Sequence, residues 1–134
     1  MPAPTHISLS ELQALIKRGI DNAHPLPYWV TAEISELKVN YSGHCYIELV
    51  EKGGANHVPK AKASAVIWRS GYSMIASYFQ GATGQVLAAG LKVLVKVVVS
   101  YHELYGLSLQ ITDIDPTYTL GDMERQRQET IRRL

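Results

Sequence analysis

A small five-stranded β-barrel, with one helix inserted between its third and fourth strands, is the fold class this sequence predicts. Apolar residues recur with a period of two in five separate runs, around Val30–Ile34, Cys45–Leu49, Ala63–Ile67, Val93–Val99 and Leu107–Ile111. That is the pattern of strands with one face in a core. Between the third and fourth runs the period becomes helical, through Met74, Ile75, Tyr78 and Phe79. The chain has 134 residues and is 46% hydrophobic, enough to bury the core of one domain and too short for two ordinary ones.

Ser8 and Glu11 have the spacing of a capping box, and Leu9, Leu12, Leu15 and Ile16 follow as one apolar stripe. A short amphipathic helix is expected here, packing its stripe on the barrel and closing near Gly19 or Ile20, before Pro25 and Pro27. Strand one is expected over Tyr28 to Val39, a turn at Asn40 to Gly43, and strand two through Cys45, Ile47 and Leu49. Lys52 to Ala61 offers little to bury and reads as a mobile connection. Strand three follows at Lys62 to Trp68, then the helix around Met74 to Phe79, with Gly81 and Gly84 suited to end it. Leu91 to Tyr101 is β-branched on one face and is the clearest strand. His102 to Gly106 turns, and strand five runs from Leu107 to its stop at Pro116. A last helical run is expected from Met123 to Leu134, begun by Gly121 and Asp122 and lacking a stop signal, as in a piece of a longer protein. The expected division is residues 1–27 for the amino-terminal helix and its connection, 28–118 for the barrel, and 119–134 for the start of a helical linker to a catalytic domain outside this sequence.

Three strands, a helix and two further strands is the order of an oligonucleotide-binding (OB) fold, a Greek-key barrel, here with an extra helix in front. An SH3-like barrel also has five strands but lacks the full helix between the third and fourth.

Thirteen Lys and Arg stand against twelve Asp and Glu, which argues against both an acidic tail and a strongly basic packaging protein. The single cysteine, Cys45, cannot form an internal disulfide, so a reducing, cytoplasmic setting is expected. No signal peptide or membrane span is indicated, and no cofactor is expected for this chain. His6, His24, His44, His57 and His102 are scattered without zinc-site spacing, and Gly81 and Gly84 lack the Lys and Ser or Thr of a phosphate loop. Asp113 with Asp115, and Glu33 with Glu36, are carboxylate pairs able in principle to hold a metal, although solvated strand-end positions are the preferred reading. No catalytic constellation emerges.

Binding has better material. The outward face of strands two and three carries His44, Tyr46, Glu48, Lys62, Ser64 and Trp68, with Arg69 adjacent. Aromatic rings stack on unpaired bases while Lys and Arg neutralise phosphates, a combination suited to single strands without strong sequence preference. Lys38 and Lys96 add to a locally positive side, and Tyr41 and Tyr105 stand in the two loops flanking the groove. Trp68 reads equally as a stacking platform or as packing beneath the inserted helix. Docking of protein, and binding of RNA or transfer RNA, remain open for the same fold.

These residues resemble a known family, the amino-terminal OB domain of the large subunit of exodeoxyribonuclease VII. The resemblance runs through Ile7-Ser8-Leu9-Ser10-Glu11-Leu12, Trp29 to Lys38, Ser42-Gly43-His44-Cys45-Tyr46-Ile47-Glu48-Leu49 and Tyr101 to Gly106. The sequence departs from the family pattern at Ala32, where Gly is usual, at Ile47, where Phe is usual, and at Val50-Glu51, where Lys-Asp is usual. The resemblance implies a bacterial enzyme that degrades single-stranded DNA from both ends to short oligonucleotides. It also implies nuclease residues in a downstream catalytic domain, small subunits bound beyond Leu134, and Gly43, His44 and Tyr46 on the first-loop side of the DNA groove.

Overall fold

Alternation turns one side chain in two inward along each strand, and the residues so placed are Ile34, Cys45, Ile47, Leu49, Ala65, Ile67, Val93, Val95, Val97 and Ile111; Ile114, beyond a register shift in the last strand, joins them in one buried cluster. The computed structural model describes residues 5–53 and 58–133. In chain order the elements are α1 (Leu9–Ala23), β1 (Tyr28–Val39), β2 (Cys45–Lys52), β3 (Pro59–Ile67), α2 (Arg69–Thr83), β4 (Lys92–His102), β5 (Gly106–Asp115) and α3 (Pro116–Arg133). The strands close into a barrel in the order β1-β2-β3-β5-β4, the expected five-stranded barrel with a helix between β3 and β4.

β1 is long enough to serve two neighbours. Its first half pairs with β4, from Tyr28 opposite Val97 to Glu33 opposite Lys92, and its second half with β2, up to Val39 opposite Cys45. A register shift between Ile34 and Glu36 bends the strand from one partner to the other. β3 and β5 close the barrel in parallel, Ala65 opposite Leu109 and Val66 opposite Gln110. Ile75 and Phe79 of α2 join the core cluster, and Phe79 is fully buried, a burial that contributes roughly 1.5–3 kcal/mol. Cys45 lies in the same cluster with no exposed surface, and burial pushes its thiol up to about 11. Ile47 is also core, so the departure from the family's usual Phe concerns packing and not base stacking.

Five elements differ from expectation. Lys52 and Pro59–Ala61 belong to strands, with Glu51 opposite Ala61 and Lys52 opposite Pro59, because backbone pairing proceeds where there is nothing to bury. Of the rest of that expected mobile connection, residues 54–57 lie outside the described residues, and Gly53 and Val58 belong to no helix or strand. α2 begins at Arg69, well before the apolar period, since the chain needs only a capped first turn to start a helix. α3 begins at Pro116 and not after Gly121: the Asp115 carboxylate accepts from the Thr117 N–H (3.0 Å) and hydroxyl (2.6 Å), and Pro sits in the first helical position. The stripe of α1 does not pack: Leu9 is 71% and Leu15 50% exposed, while the half-buried residues of the helix are Gln13, Lys17 and Ile20. The Ser8 cap is present as expected, accepting from the Glu11 N–H at 3.1 Å.

α3 is fixed to β4 at its start. The Thr119 hydroxyl donates to the Lys92 carbonyl at 2.7 Å, and buried Asp122 accepts from Gln126 at 2.8 Å while lying 3.7 Å from the Lys92 ammonium. The helix runs across position 118 without a break. Among the described residues no helix is long and apolar enough to cross a membrane.

Candidate nucleic-acid interface

The outward face of the barrel is organised by cross-strand register. Lys38 lies opposite Tyr46, Tyr46 opposite Val66, and Val66 opposite Gln110, so one rung spans β1, β2, β3 and β5. Val66 is buried yet outside the core cluster, and it floors a groove of about 680 Å³. Tyr46, Ser64 and Trp68 line one side of this groove, and Ser100, Tyr105, Leu107, Ser108 and Gln110 the other. An apolar floor with aromatic and hydroxyl walls suits a planar group with polar edges.

At one end the loop from β1 to β2 folds through Asn40, whose side-chain oxygen accepts from the Ser42 hydroxyl (2.7 Å) and the His44 N–H (3.0 Å). Gly43 adopts φ +93°, and an added Cβ there would stand 2.9 Å from Arg69 Cγ. His44 then reaches α2: its Nδ1 accepts from the Arg69 N–H at 3.0 Å, replacing the side-chain cap that Trp68 does not supply. This bond leaves Nε2 as the protonated nitrogen of the neutral ring. The ring also meets Trp68 edge-on, with centroids 5.1 Å apart. Trp68 is 43% exposed and is not part of the buried core cluster.

At the other end, His102 Nδ1 accepts from the Leu104 N–H at 3.0 Å, and its ring stacks on Tyr105 with centroids 4.7 Å apart. The exposed Tyr105 ring is thereby held at the rim of the groove. Of the predicted residues, Tyr46, Trp68 and Tyr105 line the groove, Gly43, His44 and Arg69 form the junction beside it, and Lys38 flanks it next to Tyr46. Three lie apart. Lys62 turns to Glu48, 3.3 Å away, whose carboxylate also accepts from Ser35 at 3.0 Å. Lys96 stands between Trp29 and Asp113 on β4, and Tyr41 is fully exposed at the loop tip. Sequence reasoning passed over Val66, Ser100, Ser108 and Gln110. Their signal was the outward phase of β3, β4 and β5, which becomes a site only once β3 and β5 are adjacent.

Three of the four paired carboxylates are engaged locally. Glu33 pairs with Lys52 at 3.3 Å, Asp113 accepts from the Ile114 N–H at 2.8 Å, and Asp115 caps α3, its hydrogen bonds from Thr117 holding it below the usual carboxylate range. Among the described residues no group of three or more His, Cys, Asp or Glu is placed to hold a metal ion.

The closed barrel and its groove define a nucleic-acid-binding class, and the chain belongs to it: residues 7–115 match the family described as the OB-fold nucleic acid binding domain. The chain is similar to the exodeoxyribonuclease 7 large subunit of Deinococcus radiodurans, with 37% identity over 138 aligned residues. That alignment takes in 97% of this chain and 33% of the relative, so the chain spans about a third of that protein's length. The resemblance seen in the residues is thus borne out.

Proposed function

We propose that this domain binds single-stranded DNA in the groove between Trp68 and Tyr105 and presents it to a catalytic domain of a cytoplasmic, exonuclease VII-type large subunit that works with small subunits. One observation carries the reading: exposed aromatic rings stand at both ends of a groove whose floor, Val66, is apolar and whose walls carry Ser64, Ser108 and Gln110. Such a groove accepts an unstacked base, which duplex DNA does not offer without strand separation. The charged groups around Glu48 and Glu33 are largely compensated by Lys62 and Lys52, which favours modest affinity for the domain alone and a shallow salt dependence. The nuclease reading rests on the named activity of the relative.

Titration of labelled single-stranded and duplex oligonucleotides of matched sequence tests the proposal. Single strands are expected to bind more tightly, with Tyr46→Ala and Trp68→Ala each costing about 1–3 kcal/mol. Equal affinity for duplex, or variants that bind like the parent, would overturn it. A matched RNA that displaces the DNA would move the reading to RNA.

A further inference from the structure

We propose that α1 forms a third wall of the groove, with Lys17 as a phosphate contact. This rests on the single-strand reading above and adds an element that lies outside the barrel. Gln13, Lys17 and Ile20 recur at positions i, i+4 and i+7 and form the half-buried face of α1, while the leucine stripe points elsewhere. The orientation is fixed by a polar contact: the Gln13 side-chain amide donates to the Glu103 carbonyl at 2.7 Å, in the loop that carries Tyr105. One turn further on, Lys17 lines the groove together with Tyr105, Ser108 and Gln110.

Lys17 is the one Lys or Arg among the described residues that line this groove. A nucleotide whose base enters beside Tyr105 leaves its phosphate at the rim, where a cation is needed. The ion pair of Lys17 with Asp21, at 3.7 Å and with side chains 45% and 52% exposed, is a solvated surface pair that a phosphate displaces easily. Gln13 acts through the helix as a positioning residue, tying α1 and the Tyr105 loop into one clamp.

The test uses the whole chain, fluorescent oligothymidylate and a series of salt concentrations, comparing the parent with Lys17→Ala, Gln13→Ala and, as a control one residue along on the exposed side of the helix, Arg18→Ala. Lys17→Ala is expected to weaken binding on the order of 5- to 10-fold at about 50 mM salt and to reduce the salt slope by about 0.7, the contribution of one single-strand phosphate contact. Gln13→Ala weakens binding with the slope retained, and Arg18→Ala changes neither. Thermal melts of the variants exclude loss of folding as the cause. If the parent binds and Lys17→Ala matches it, or matches Arg18→Ala in both affinity and slope, the α1 proposal fails alone. If the parent does not bind single strands, the reading beneath it fails as well.

Discussion

Two separate demands meet at Gly43. Its backbone lies at φ +93°, where a side chain is strained, and its α-carbon faces the Arg69 stem too closely for a Cβ. Gly43→Ala is therefore expected to destabilise the domain by about 1–2 kcal/mol in urea denaturation. It should also weaken single-strand binding, because Arg69 begins α2 and its N–H is the one His44 caps. A variant as stable as the parent would refute the double constraint. The sequence marked Gly43 as a turn glycine and, by resemblance, as part of the groove, but the approach of Arg69 was invisible. It depends on β2 and β3 pairing so that Cys45 faces Ile67. Trp68 stayed undecided for a related reason, since a strand-end residue that also precedes a helix has no face until the helix direction is known.

At the scale of elements, α3 shows how one short motif serves two ends. Asp115-Pro116-Thr117 closes β5 and opens the helix, whereas Pro116 by its residue type announced only the stop. The Asp115 pKa is lowered by its bonds from Thr117, so the carboxylate contributes to folding above the unfolded value near 3.8 and loses that contribution as pH falls through the lower folded value. Asp115→Asn is expected to flatten that acid limb of the pH–Tm curve while leaving the neutral region nearly unchanged, since Asn also caps helices. An unaltered acid limb would show that the cap does not titrate with folding. The other helices were legible to different degrees. The Ser8 cap was readable because it is local, but period alone does not say which side of α1 meets a neighbour, and a polar tether, Gln13 to Glu103, decided it.

For the whole molecule, the order of periods was sufficient to give the barrel, because five half-buried strands and one inserted helix have few compact arrangements. The groove was only half readable. Tyr46, Trp68 and Tyr105 were chosen from residue type and line the groove, while Lys62 and Lys96 were chosen from charge and lie outside its lining, Lys62 beside Glu48 and Lys96 at a β4 position opposite Trp29 and Asp113. The parallel closure of β3 on β5 has a mechanical consequence. Its two register pairs, Ala65 with Leu109 and Val66 with Gln110, form the shortest ladder in the barrel, and Val66 and Gln110 are also groove residues. An occupant touching both strands acts as a clasp across the place where the cylinder parts most readily. Amide exchange in β3 and β5 near this seam should then slow on adding single-stranded DNA more than exchange in the β1–β4 ladder near Ala32 and Val93, away from the groove, does, and uniform slowing would show that the occupant does not hold the seam.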